Sequence, residues 1–263
     1  MIRLETAQAP RHGDTATHLL HHDTMKKLLT LLAFSAALAQ PALAGDLSAL
    51  GNLSQSEFRR VSEDLGAAFS YKPIAPTEAQ GITGFDIGLE VTGTDISRSA
   101  GALSRAGASD NSMNTLLIPK LHLHKGLPLG LDVGAFVANV PAINARLYGA
   151  EVRYALLGGG VAMPAIGVRG AYTRLDGASQ LALSTRSVDI SISKGFTVLT
   201  PYAGVGQVWV DSSPNAGNLA GESFSQGKLF IGLNLNLGLL NLAFETDKTG
   251  DTTSWGMKVG LRW

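Results

Sequence analysis

From about residue 82 to the end, apolar and polar positions alternate with period two, which sorts side chains onto the two faces of a strand rather than around a helix. The last run is the clearest: Trp255, Met257, Val259, Leu261 and Trp263 alternate with Gly256, Lys258, Gly260 and Arg262. Leu229, Ile231, Leu233, Leu235 and Leu237 alternate with Lys228, Asn234 and Asn236, and Phe85, Ile87, Leu89 and Val91 with Asp86, Gly88 and Glu90. Tyr148, Val152, Tyr154 and Leu156 sort against Glu151 and Arg153, and Ile166, Val168 and Tyr172 against Arg169 and Thr173. Looser runs fill the gaps: Leu117, Leu121 and Leu123 against Lys120, His122 and His124; Leu129, Leu131, Val133 and Val137 against Asp132 and Gly134. Val188, Ile190 and Ile192 oppose Asp189, Ser191 and Ser193, Leu199 to Trp209 opposes a glycine-rich face, and Leu240, Leu242 and Phe244 oppose Asn241 and Glu245. About ten strands result, an even number of the kind a closed bacterial barrel needs.

Two segments precede the strands. Ser54-Gln55-Ser56-Glu57 fits a capping box. Phe58, Val61, Leu65, Ala68 and Phe69 follow at helical spacing until Pro73 and Pro76 end the pattern. The apolar stripe of this helix needs a partner, and two placements are open: a plug inside a lumen, or a periplasmic cap over its mouth. Farther upstream, Met25-Lys26-Lys27, the apolar run Leu28 to Ala39 and the small residues Ala42-Leu43-Ala44 form a secretory signal with cleavage expected after Ala44. That apolar run is too short for a spanning helix, which needs roughly 20 residues. The chain therefore divides into an upstream extension or mis-chosen start (1–24), a signal peptide (25–44), a helical segment (45–80) and a barrel (81–263).

With no helical span in the mature chain, a membrane location requires a closed barrel, because an open sheet would leave backbone groups unpaired in hydrocarbon. The connections point the same way. Glu245–Ser254, Asp211–Ser223 and Thr94–Asn114 read as long and polar, while Gly238-Leu239, Lys194–Val198 and Lys125–Pro128 read as short. Such alternation is expected of a barrel with both termini in the periplasm. Trp255 and Trp263 share a face about 26 Å apart along the strand, close to the height of an apolar membrane band. Trp209, Tyr148, Tyr172 and Phe244 are expected beside Trp255 at the outer interface, with Tyr154 and Phe85 at the inner one. Pro119 stands out: inside a closed barrel it implies a bulge or a wrongly drawn strand.

A terminal strand of alternating apolar residues that ends on Trp263 resembles the C-terminal signature of Gram-negative outer-membrane β-barrels. The resemblance covers roughly residues 82–263 and is a class pattern. It implies location in the outer membrane and reading of Trp263 by the barrel-assembly machinery.

Composition narrows the chemistry. The 21 basic and 21 acidic residues cancel, so nothing points to nucleic acid. Cysteine is absent, which excludes disulfides, thiolate catalysis and cysteine zinc sites. Of six histidines, His12, His18, His21 and His22 precede the signal, which leaves His122 and His124. No nucleophile elbow, zinc helix or phosphate loop is present. Neither cofactor nor metal is expected. The inward set is Asp86, Glu90, Lys120, His122, His124, Asp132, Glu151, Arg153, Arg169, Asp189, Lys228, Glu245, Lys258 and Arg262. It reads either as paired charges that fill the lumen or as the lining of a narrow polar pore. The expectation is a narrow porin-like channel or a structural surface protein, contacting lipid and a small solute or surface ligand. The alternatives are an omptin-like outer-membrane hydrolase using the two histidines, and a soluble periplasmic β-sandwich.

Overall fold

The computed structural model describes residues 45–108, 114–160, 162–215 and 217–263, so the signal segment and everything before it lie outside the described residues. Helix α1 (Gln55–Phe69) comes first, followed by β1 (Phe85–Asp95), the short helix α2 (Ala100–Arg105), β2 (Thr115–Gly126), β3 (Leu131–Val140), β4 (Ala145–Gly158) and β5 (Ala165–Asp176). Then come β6 (Leu181–Ser193), β7 (Leu199–Pro214), β8 (Glu222–Leu237), β9 (Leu240–Thr249) and β10 (Thr252–Arg262). Each strand pairs antiparallel with its neighbours in sequence, and β10 pairs back onto β1 to close a ten-stranded barrel. Closure is clamped at the chain's end. Phe85 N–H donates to the Trp263 carbonyl at 2.8 Å, Trp263 N–H donates to the Phe85 carbonyl at 3.0 Å, and the two rings meet at 4.9 Å. A closed sheet has no edge strand, so the sandwich alternative is excluded.

The outward face is apolar over a continuous belt. Leu121, Val152, Val188, Ile190, Val205, Leu229, Ile231 and Met257 all stand exposed to the outside of the wall. A continuous belt of this kind is the surface that lipid solvates, and a closed ladder is the one sheet form that survives there. No described helix is long and apolar enough to cross a membrane. Trp255 lies across Gly93 of the neighbouring strand; a side-chain carbon at Gly93 would sit 2.4 Å from the indole. The glycine is there because the aromatic takes its space. Phe244, expected at the outer interface, is registered instead with Met257 in the middle of β10.

Three expectations are corrected. Pro119 makes no bulge: it is registered with Val91 of β1, while the ladder to β3 starts at Lys120. The missing N–H therefore falls where no partner strand waits for it. Pro201 follows the same rule, since the β6 ladder stops at Tyr202. The irregularity is elsewhere, between Ala155 and Leu157 of β4. Secondly, the loops do not alternate cleanly in length. Glu245–Ser254 is not a long connection, because β9 runs to Thr249 and β10 resumes at Thr252 around the pair Gly250-Asp251. Above the apolar belt the outward residues become polar while the ladder continues, so the polarity that read as a loop belongs to strand ends. Thirdly, the two ends of the described chain lie at opposite mouths. Trp263 is at the mouth with the turns 127–130, 159–164, 194–198 and 238–239, called here the turn end. Ala49 N–H instead donates to the Ala106 carbonyl at the other mouth, the loop end, in the long β1–β2 connection.

The segment before β1 thus runs through the barrel. Helix α1 occupies the loop-end half of the lumen against β1, β5, β6, β7 and β10, and residues 70–80 descend to the turn end. The helix begins as the sequence implies: Glu57 N–H donates to Ser54 Oγ, and Ser54 N–H donates to Glu57 Oε2 at 3.0 Å. Its stripe of Phe58, Val61, Leu65 and Phe69 is buried against Leu116, Ile118, Val140, Leu147, Leu183, Val208 and Val210 from the wall. At roughly 1.5–3 kcal/mol for each large apolar side chain buried, this layer binds the helix firmly. Below it, Ile74 fits onto Gly256 of β10, where a side-chain carbon would come within 2.3 Å of Ile74 Cδ1. Ile74 sits at φ +37°, uncommon for a β-branched residue, and its N–H donates to Glu245 Oε2 at 3.2 Å.

Replacing Gly256 by Leu should therefore push Ile74 aside and cost about 1–3 kcal/mol in urea unfolding of the reconstituted protein. Adding Ile74→Ala should return part of that loss. Equal destabilisation in the single and double variants would place the strain elsewhere.

Candidate functional site

The chemistry-bearing side chains gather in the lower half of the lumen, around residues 70–80. The reason is local. Strand positions of one parity face inward, and below the apolar layer those positions are charged. Asp86, Glu90, Lys120, His122, His124, Asp132, Glu151, Arg153, Arg169, Asp189, Lys228, Glu245 and Lys258 are all buried, and Arg262, at the turn-end mouth, is half-buried.

Most of them are paired, and the descending segment joins several of the pairs. Tyr71 Oη lies 2.7 Å from His122 Nε2, and His122 Nδ1 lies 2.9 Å from Glu90 Oε2. Lys120 Nζ donates to the other oxygen of Glu90 at 2.8 Å. With Glu90 ionised, the network assigns the His122 proton to Nδ1, leaving Nε2 to accept from the tyrosine hydroxyl. His124 Nε2 meets Glu151 Oε1 at 2.7 Å, and Arg169 bridges Glu151 to Asp189, reaching Asp189 Oδ2 at 2.7 Å. Lys72 donates to both oxygens of Asp247, at 2.8 and 3.1 Å, and Lys228 Nζ donates to the Tyr71 carbonyl at 2.6 Å. Tyr202 Oη donates to Glu245 Oε2 at 3.0 Å, the oxygen that also accepts from Ile74. Nearer the turn end, Arg153 holds Asp132 at 2.6 Å and the Pro76 carbonyl at 2.6 Å, and Thr77 Oγ1 donates to Ser191 Oγ at 2.8 Å. Lys258 closes the set on Asp86 at 2.8 Å.

Burying charge in a low-dielectric interior is tolerated only with such partners. The sequence reading missed four of them: Tyr71, Lys72, Tyr202 and Asp247. Asp247 was concealed because it falls in the polar stretch read as a loop, although Glu245, Asp247 and Thr249 keep the inward parity of β9. Lys72 and Tyr71 follow the helix and carry no periodicity of their own. The inward apolar layer was missed as well. Its signal is present in unbroken runs such as Leu116-Leu117-Ile118 and Val208-Trp209-Val210, which mark strands greasy on both faces.

What this arrangement can do chemically follows from its enclosure. Tyr71, Lys72, Glu90, Lys120, His122, Glu151 and Glu245 are each at most 4% exposed. The tyrosine–histidine–carboxylate chain is sealed from both mouths. Among the described residues no cluster of three or more histidine and carboxylate groups suits a metal ion.

No protein-family model matches the chain, and no curated protein matches it. Among solved structures it is similar to the KdgM porin, at 10% identity and a TM-score of 0.35 over 67% of this chain and 98% of that one. It is similar also to the N-terminal β-barrel domain of Pseudomonas aeruginosa OprF, at 12% identity and a TM-score of 0.35 over 70% and 100% of the two chains. A third is Ail, the attachment invasion locus protein of Yersinia pestis, at 13% identity and a TM-score of 0.30 over 68% and 97%. Likeness of this degree adds nothing to the strand order, from which the barrel is read directly.

Lys72 supplies the cation for a carboxylate on the wall. Lys72→Met should leave Asp247 buried without its ion-pair partner, with only Lys228 nearby and not bonded to it, and lower stability by about 3–5 kcal/mol, whereas Lys72→Met with Asp247→Asn should recover much of it. Urea unfolding in lipid measures both, and additive losses would show that the pair is not coupled.

Proposed function

We propose that the protein is a Gram-negative outer-membrane barrel held closed by its own N-terminal segment, acting as a structural and surface-presenting protein rather than an open pore or an enzyme. The observation that carries this reading is the buried segment 55–80, anchored by an apolar layer above and ion pairs below. The signal-like pattern of residues 25–44 and the continuous outward apolar belt support placement in the outer membrane, with insertion by the barrel-assembly machinery as part of this reading. The two histidines are buried below α1, toward the turn end, which disfavours an omptin-like reaction at the exposed rim.

In this reading the turn end is periplasmic and the loop end faces outside, as expected for short periplasmic turns. The start of the segment is then presented at the cell surface. There Asn218 Nδ2 donates to the Gly51 carbonyl at 2.7 Å, and the Gln55 amide exchanges hydrogen bonds with Ala220. An epitope tag placed between Gly45 and Asp46 should be labelled on intact cells, as should one in the loop 215–221. A tag in the turn 159–164 should need permeabilisation. Labelling of the Gly45 tag only after permeabilisation, with the loop tag still accessible, would contradict the threaded arrangement.

A second reading, a gated narrow channel, is favoured by the mixed charges that would line the lumen if the segment withdrew. The two readings separate in planar bilayers. The chain has no cysteine, and Ser62 Oγ lies 2.9 Å from Ser212 Oγ, so Ser62→Cys with Ser212→Cys can tie the helix to β7. A structural barrel should show no conductance steps, reduced or oxidised. Discrete steps that vanish on oxidation and return on reduction would establish the channel.

A further inference from the structure

The outward wall carries little charge, and what it carries is not evenly spread. Arg146 on β4, Arg174 on β5 and Arg186 on β6 face outward on three adjacent strands at the loop end. Their registers make them diagonal neighbours. Arg174 is opposite Tyr148, two residues from Arg146, and opposite Ser184, two residues from Arg186. Diagonal pairs of this kind lie roughly 7–8 Å apart, within reach of long side chains. Aromatics lie between and below them: Tyr148 opposes Arg174, Tyr172 opposes Arg186, and Arg186 opposes Trp209. All three aromatics are exposed on the outer wall, with Val152 and Val188 continuing the apolar belt beneath.

Two carboxylates share the patch. Asp211 is already engaged, accepting from Arg186 Nη2 at 3.2 Å and from Ser223 Oγ at 2.8 Å. Asp176 is the last residue of β5, at the rim, opposite Arg146. Among the described residues Arg146 and Arg174 make no ion pair within the protein, so two guanidinium groups are left facing the interface. Like charges on adjacent strands repel, so gathering them costs stability unless an anion lies between them. A guanidinium is suited to a phosphate, which it can bind through two parallel hydrogen bonds. Tyrosine and tryptophan at the same level mark the headgroup boundary of a bilayer.

We propose that Arg146 and Arg174, flanked by Tyr148, Tyr172 and Arg186, form a binding site for the phosphorylated headgroup of a lipid in the leaflet at the loop end, whose acyl chains lie on Val152 and Val188. This rests on the outer-membrane reading above, in which that leaflet is the outer one and its lipids are phosphorylated glycolipids. The guanidinium groups bind the phosphate, and the belt below them holds the chains. Juxtamembrane cations contribute about 1 kcal/mol each toward anionic lipid, so the pair should enrich such a lipid about thirtyfold.

The test uses the full chain in phosphatidylcholine vesicles doped with a small fraction of either bis-phosphorylated lipid A or its dephosphorylated form. The lipid retained after extraction is counted by native mass spectrometry. The expected result is retention of the phosphorylated lipid by the native protein and about thirtyfold less by Arg146→Gln with Arg174→Gln. The variant with lysine at both positions should retain an intermediate amount, and the dephosphorylated lipid should not distinguish the proteins. Equal retention by the glutamine variant, or equal retention of both lipids by the native protein, would overturn the site. Folding is followed by the heat-dependent shift in gel mobility. If the native protein inserts into no vesicle and shows no shift, the outer-membrane reading fails and takes the site with it.

Discussion

A barrel wall has two surfaces, and in a membrane each must find its own solvent. Lipid takes the outer one. The inner one cannot be left to chance here, because the wall turns apolar residues inward at the loop end and charged residues inward below. The N-terminal segment satisfies both with one stretch of chain. The stripe of α1 meets Leu116, Leu183, Val208 and Val210, and residues 71–80 meet the charges. An empty lumen would leave a water-filled cavity with greasy walls above and Asp247 stripped of its ion-pair partner below. The segment is therefore part of the folding unit, whatever else it does.

This constraint explains the details that look irregular in isolation. Gly256 leaves room for Ile74 to approach the wall, and Ile74 takes up an unusual φ so that its N–H can turn toward Glu245. The cations and carboxylates are not spread as a generic polar lining. They form short chains, such as Lys120–Glu90–His122–Tyr71 and Asp189–Arg169–Glu151–His124, in which each group compensates the next. Removing one member of such a chain costs more than the pair is worth, because the other charge stays buried.

The outer surface follows a separate logic. Its belt is uniform where the hydrocarbon lies and becomes specific only at the boundary, where Trp255 covers Gly93 and the three arginines gather beside Tyr148 and Tyr172. The inner and outer faces of one strand thus answer to different partners. Arg169 and Arg174 of β5 illustrate it: one is buried between Glu151 and Asp189, the other faces outward with no ion pair among the described residues.

Much of the barrel was legible in the chain because strand parity is a local property. Trp255 to Trp263 or Leu229 to Leu237 reveal their two faces without any knowledge of the neighbours, and the capping box at Ser54 announces its helix in the same way. Thirteen of the charged and histidine positions that the alternation turns inward are buried. Parity fails where both faces are apolar, as at Leu116 to Ile118, and where the outward face turns polar beyond the belt, as at Thr246 to Lys248. What tertiary structure decided is which groups meet. Whether α1 plugged or capped the barrel, that Lys72 answers Asp247, that Pro119 lies past the end of a ladder, and that three arginines on β4, β5 and β6 converge all depend on register and threading. Those are set by contacts between residues far apart in sequence, and the identity of a residue carries no record of its distant partner.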